Sequence, residues 1–174
     1  MTTQFPSDIV GVWRLLTCEF YAPSSSTTIV QPLGPSPSGR FVITQGGYTS
    51  CLITSPEASA PISTSWVQAG PEEITRVART MTAYCGPYRA WEENNETLLA
   101  TKVEISLNPE WIGGEQVRRW TVRKEPGKTL LTLKPVQEFE LPVQWNETIG
   151  KTGMGEDNRV QYTISKSLGQ DLTL

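Results

Sequence analysis

The stretch VEISLNPEWIGGEQVRRWTV, residues 103–122, decides how the chain is read. Val103, Ile105 and Leu107 alternate with Glu104 and Ser106, the period-two pattern of a strand with one buried face. Pro109, Trp111 and Gly113-Gly114 break that pattern, and a second strand starts near Glu115. On this second strand Trp120 and Val122 belong in a core, and alternation turns Arg118 and Gln116 inward with them. Arg119 then faces out, unless a bulge after the paired glycines swaps the two arginines. A guanidinium aimed at the interior needs a partner there, because leaving it buried and unpaired costs several kcal/mol.

The chain has 174 residues, which suits a single domain, 1–174, with a sizeable core. Charged residues make up 19% and the net charge is −3, so nothing resembles a nucleic-acid footprint. Six tryptophans and five tyrosines enrich the large aromatics that line sites for flat organic ligands. Histidine is absent, which removes the commonest general base, the commonest metal ligand and every Ser-His or Cys-His pair. Cys18, Cys51 and Cys85 are too few and too far apart for a zinc site, and no cofactor or metal is expected. Free thiols in a reducing compartment fit them better than a bridge. The start, MTTQFPSDIVGVW, lacks the pattern of a secretory leader, and no apolar run reaches the roughly 20 residues of a membrane span. The expectation is a soluble, cytoplasmic protein with no membrane or nucleic-acid partner. Asn95-Glu96-Thr97 and Asn146-Glu147-Thr148 match the glycosylation pattern and read as turns. GKTGMG (150–155) lacks the spacing and following helix of a phosphate loop.

Short alternating apolar runs separated by turn signals fill the rest. Residues 9–21 form a long first strand, 22–39 a Pro- and Ser-rich loop with a short extended piece at Thr28-Ile29-Val30, and 40–54 a hairpin. Ile74, Val77, Ala78 and Met81 recur at helical spacing, with Pro71 at the start and Gly86-Pro87 as the stop. Strands follow at 88–93, 97–107, 115–124 and 128–135, with further candidates at 142–147 and 159–166. Eight to ten antiparallel strands with one short α-helix tend to close on themselves, because closure removes the exposed edges. A closed eight-stranded barrel holds side chains or one small ligand.

Gly11-x-Trp13 on the first strand is a short, weak signal alone. Stronger is an ordered set: Gly11-Val12-Trp13-Arg14-Leu15-Leu16, Pro32-Leu33-Gly34-Pro35, Gly39 with Phe41-Val42-Ile43-Thr44, Gly47-Tyr48-x-Ser50, Tyr84-x-Gly86-x-Tyr88, and 103–109 running to Trp111, Gly113 and Gln116-Val117-Arg118-Arg119. This set resembles the lipocalin-like domain family of bacteria and fungi, from residue 11 to about 134. The resemblance implies a closed β-barrel of lipocalin type with a short helix. It also departs from the family, which often carries histidine where this chain has Thr101-Lys102. Members similar to this one occur in fungal secondary-metabolite clusters, and some are thought to guide cyclisation or isomerisation of a polyketide or terpenoid intermediate. Fold alone does not fix function.

Arg118 has two readings: a structural cation stacked on Trp13 at the closed end, as in many lipocalins, or a cavity group pairing with a ligand oxygen. Tyr48 and Tyr88 each begin a strand near a barrel rim, where a hydroxyl either packs in water or serves a ligand. Alternation with Tyr88 and Ala90 puts Glu92 inward and Glu93 outward. Without histidine, a buried carboxylate is the natural general base or acid, although a strand-end glutamate is more often solvated. Glu138 and Glu140 are weaker candidates of the same kind, and Glu104 is expected to face out. The expected catalytic set is Glu92, Tyr88, Arg118 and Tyr48. Trp13, Phe41, Ser50, Trp120 and Trp145 are the expected ligand-binding residues, and Ile43, Leu131 and Leu133 complete the inner wall. Two functions fit: a cofactor-independent cyclase or isomerase that holds one reactive conformer of a hydrophobic or aromatic metabolite, or a carrier that binds it unchanged. A homodimer is compatible with either.

Overall fold

A computed structural model describes residues 6–21, 29–136 and 159–167. Its strands are β1 (Gly11–Tyr21), β2 (Ile29–Val30), β3 (Ser38–Ile43), β4 (Tyr48–Thr54), β5 (Met81–Glu93), β6 (Glu96–Lys102), β7 (Ile105–Ser106), β8 (Glu115–Glu125), β9 (Lys128–Pro135) and β10 (Arg159–Ser167). Eight of them run antiparallel in the order β10-β9-β8-β6-β5-β4-β3-β1, and β1 pairs back onto β10, closing a barrel. The short strands β2 and β7 attach to β1 and β5. Turn residues sit where tight connections demand them. Asn94 and Asn95, at φ 51° and 61°, join β5 to β6, and Gly127 at φ 76° joins β8 to β9.

β1 pairs with β3 on one side and β10 on the other, and its inward residues change phase partway. Leu15 faces Ile164, yet Thr17 faces Thr163, so one extra residue bulges out between them. Trp13 and Leu15 point inward before the bulge and Cys18 and Phe20 after it.

At the Trp13 end the barrel is solid. A 3-10 turn, Ser7–Ile9, buries Ile9, whose carbonyl accepts the Trp13 indole N–H at 2.7 Å. Ile43, Leu99, Val103 and Leu131 fill the space around them. The cation over the Trp13 ring is Lys166, its ammonium 4.9 Å from the ring centroid and donating to the Val10 carbonyl at 3.1 Å. This corrects the structural reading of Arg118. Lys166 lies on β10 two residues beyond inward Ile164, alongside the Trp13 end, whereas Arg118 sits near the start of β8, opposite Pro135 at the end of β9.

Two further expectations are overturned. Helix α1 spans only Pro71–Arg79, ending where the Thr80 hydroxyl bonds the Arg76 and Val77 carbonyls, and the chain is extended from Met81. Gly86 is therefore a strand glycine rather than a helix stop. A Cβ there would lie 1.8 Å from the Lys102 carbonyl oxygen. The run 103–107 is also not one half-buried strand: Val103 is buried, but Ile105 and Leu107 are 66% and 46% exposed. The reason is a crossing. Val103 bonds Gly113 and Gly114 across its own loop, while Glu104 and Leu107 donate to the Cys85 and Ala83 carbonyls of β5, turning Ile105 and Leu107 outward.

Candidate functional site

Away from Trp13 the core leaves a small, mostly apolar pocket of about 30 Å³ that opens to solvent. Leu15, Phe41, Ile53, Leu133 and Ile164 supply an apolar wall, and Trp111 closes one side. Cys51, Thr82, Tyr84, Arg118 and Tyr162 complete the lining.

Each polar group is aimed by its strand. Arg118 is 4% exposed, with Gln116 Oε1 and the Val117 carbonyl each accepting from its guanidinium at 3.0 Å. Tyr84 and Cys51 are cross-strand neighbours on β5 and β4, and the Tyr84 hydroxyl sits against the Cys51 thiol and the Arg118 guanidinium. Tyr162 reaches in from β10, opposite Cys18 on β1. Trp111 comes from the 103–114 loop, on a 3-10 turn capped by Asn108 Oδ1 accepting from Glu110 N at 3.2 Å. Its ring meets Tyr84 edge-on at 5.8 Å.

Burial raises the hydroxyl pKa of both Tyr84 and Tyr162, with neighbouring groups adding smaller effects. Burial likewise pushes the Cys51 thiol up to about 12, against an opposing effect of Arg118. All three stay protonated at neutral pH and offer hydrogen-bond donors beside the N–H groups of Arg118. The described lining contains no carboxylate. The chemistry on offer is recognition of an oxygen acceptor inside an otherwise apolar hollow.

Of the residues expected from sequence, Phe41 and Arg118 line this cavity. Arg119 faces out and pairs with Glu96 at 2.6 Å, so no bulge intervenes after Gly114. Trp13 is sealed in the solid end. Tyr88 is buried, but its hydroxyl donates to the Thr44 carbonyl at 3.2 Å, away from the lining residues. Tyr48 and Ser50 are corrected outright: Thr49 is the inward residue of that segment, bonded to Thr101 at 2.9 Å, so both neighbours face solvent. The Tyr48 hydroxyl donates to Glu104 on the outer surface at 2.9 Å. Glu92 is also corrected, because β5 reaches its hairpin with β6 there and the side chain is exposed. Trp120 packs on the core opposite Leu133 but lies outside the cavity lining. Its buried indole N–H has no acceptor among the described residues, a cost of about 1–3 kcal/mol. Trp145, Glu138 and Glu140 lie outside the described residues.

Tyr84, Tyr162, Cys51, Thr82 and Trp111 are cavity residues that the sequence does not mark as ligand-binding. Tyr84 carried a usable signal, alternating with Gly86 and Tyr88, but the helical reading of 71–86 concealed it. Tyr162 shares the phase of Ile164 on the last strand.

A family model for a lipocalin-like domain matches residues 10–149. The chain belongs to the lipocalin-like domain family. No curated protein and no solved structure matches the chain. A lipocalin-like barrel with a pocket among its inner side chains is an architecture for holding a small molecule. Among the described residues no helix is long and apolar enough to cross a membrane, and no group of acidic, histidine and cysteine side chains is placed to hold a metal ion. The thiols of Cys18, Cys51 and Cys85 are free.

Proposed function

We propose that this lipocalin-like protein binds a small, flat, largely apolar metabolite by an oxygen acceptor, and guides its isomerisation or ring closure without a cofactor. The observation that carries the reading is the convergence of Arg118, Tyr84, Cys51 and Tyr162 in an otherwise greasy cavity. Resemblance to members linked with polyketide and terpenoid intermediates supports the choice of substrate class.

In a closure of this type a substrate hydroxyl adds to an alkene conjugated with a carbonyl. The new C–O bond forms, charge passes to the carbonyl oxygen as an enolate, and the hydroxyl proton ends on the carbon beside that carbonyl. The product is an isomer of the substrate. Arg118 and Tyr84 would hold the enolate oxygen, a contribution of about 3–4 kcal/mol per well-placed donor. The apolar walls would hold one conformer and set the face of attack, a positioning effect of at most about 7–11 kcal/mol. With Glu92 exposed, proton delivery falls to Tyr84 or Tyr162.

A carrier function is the second reading, and one feature favours it: the described lining offers proton donors but no carboxylate to act as base. Enantiomeric excess separates the two. An achiral hydroxy-enone incubated with the protein should give one enantiomer, and Arg118→Met and Tyr84→Phe should each return the product toward racemic. Racemic product from the wild type, with the precursor bound, would leave the carrier reading standing and end the catalytic one.

A further inference from the structure

Gln116 is the first inward residue of β8 and takes no direct part in the proposed reaction. It is 7% exposed, and its backbone pairs with that of buried Thr101 on β6. Arg118 follows two residues later on the same face and is also buried. Arg118 lines the pocket, but Gln116 lies outside that lining. A buried amide gives up its hydration, so its place here turns on the hydrogen bonds it makes.

One of these runs to the guanidinium. Arg118 Nη2 donates to Gln116 Oε1 at 3.0 Å, and Nη1 donates to the Val117 carbonyl at 3.0 Å. Acceptors on two different terminal nitrogens fix the plane of a side chain that otherwise turns about several bonds. The Tyr84 hydroxyl sits against the same guanidinium from β5. Arginine offers only donors, so the amide can meet it through oxygen alone. The choice of an amide has a consequence for charge. A carboxylate at this position would also orient the guanidinium, but as an anion it would compete with any acidic oxygen in the pocket. The amide orients the guanidinium and adds no negative charge beside it.

We infer that Gln116 is the positioning residue of this pocket. It acts through Arg118, and it makes the pocket prefer a ligand with an anionic oxygen, a carboxylate, phenolate or enolate, over a neutral ligand of the same shape. A hydrogen bond from a guanidinium to an ionised oxygen is about twice as strong as one between neutral groups, provided the fork is held in place. The inference rests on the reading that the oxygen of the ligand meets Arg118.

Two measurements test it. The first needs no ligand: the side-chain N–H signals of Arg118 in ¹H–¹⁵N NMR, assigned by their loss in Arg118→Met. They should be resolved and slow to exchange in the wild type, and averaged or broadened in Gln116→Met, which keeps the volume and removes the amide. The second is titration with benzoate and with benzamide, flat probes of one shape that differ in charge. The wild type should prefer benzoate. Gln116→Glu should keep the Arg118 signals but weaken benzoate about tenfold or more, leaving benzamide within about twofold. Arg118 signals unchanged in Gln116→Met overturn the inference. So does a benzoate preference unchanged in Gln116→Glu. If Arg118→Met binds benzoate as tightly as the wild type while the Arg118 signals respond to Gln116→Met as expected, the ligand does not meet Arg118. That result would overturn the underlying reading, and with it the preference assigned to Gln116.

Discussion

Replacing Gly86 by alanine probes the crossing that carries Trp111 to the cavity. The added methyl would sit 1.8 Å from the Lys102 carbonyl oxygen, 2.9 Å from its carbon and 3.2 Å from the Glu104 nitrogen. Carbon and carbonyl oxygen approach no closer than about 3.3 Å, so one strand has to retreat by roughly 1.5 Å. The atoms in the way are backbone, so no rotamer change relieves the collision. Overpacking of this kind costs about 1–3 kcal/mol. The retreat also strains the bonds from Glu104 N to the Cys85 carbonyl, 2.9 Å, and from Leu107 N to the Ala83 carbonyl, 2.8 Å. Each contributes about 1 kcal/mol, which brings the expected loss to about 3–5 kcal/mol, a large part of the stability of a domain this size. Urea unfolding followed by tryptophan fluorescence measures it, as a midpoint lowered by about 2 M. Gly34→Ala is the control. Gly34 has φ +72° but nothing within 4 Å of a new methyl, so only the backbone penalty of about 1 kcal/mol applies. A Gly86→Ala protein as stable as Gly34→Ala would refute the close crossing.

The barrel closure makes a second prediction: Lys166→Met, which removes the ammonium from Trp13 and from the Val10 carbonyl, should lose about 1–3 kcal/mol in the same assay, with Lys166→Arg retaining most of it. The buried thiols make a third. Burial raises both Cys18 and Cys51 to about 12, so each favours the folded state fully below the unfolded value of about 8.5 and loses that contribution as pH rises toward 12. The thermal midpoint should fall on alkaline titration, and fall less in Cys18→Ala/Cys51→Ala; equal slopes would contradict the assignment. A fourth concerns the loop before α1. The backbone N–H and hydroxyl of Ser63 hold the Glu73 carboxyl below its usual range, so its contribution is present above about 4.3 and lost as pH falls through the lowered folded value. Proteolysis of residues 55–70 should therefore rise at acid pH in the wild type and show no such dependence in Glu73→Gln.

The barrel is legible because most of its strands keep a period of two, β1 shifting phase at its bulge. Phe41, Ile43, Leu131 and Leu133 were placed inward by period alone, and Arg118 with them, since nothing between Gly114 and Arg118 shifts the phase. What failed was set by contacts distant in sequence. Ile105 and Leu107 alternate properly but face out because their backbone pairs with β5 instead of continuing β6. Met81 to Gly86 follows a real helix without a break in apolar content, and only the approach of Lys102 to Gly86 shows why that segment is extended. Tyr48 and Ser50 were misplaced by one residue, which in a strand is the whole difference between cavity and solvent. Glu92 fell to length rather than phase, since alternation cannot tell where a strand outruns its barrel. The cavity tyrosines are hard to place from sequence because Tyr84 follows the helix without a break in apolar content and Tyr162 lies on the last strand, far along the chain from its neighbours.

Methyl NMR of the protein titrated with 2-naphthoate, a flat aromatic carrying a carboxylate, tests the central claim most directly. The pocket predicts saturable shifts and ligand contacts at Leu15, Ile53, Leu133 and Ile164, weakened by Arg118→Met, with Ile43, Leu99 and Leu131 around Trp13 left undisturbed. Shifts confined to surface methyls, or an unchanged spectrum at saturating probe, would contradict a barrel that takes a guest beside Arg118.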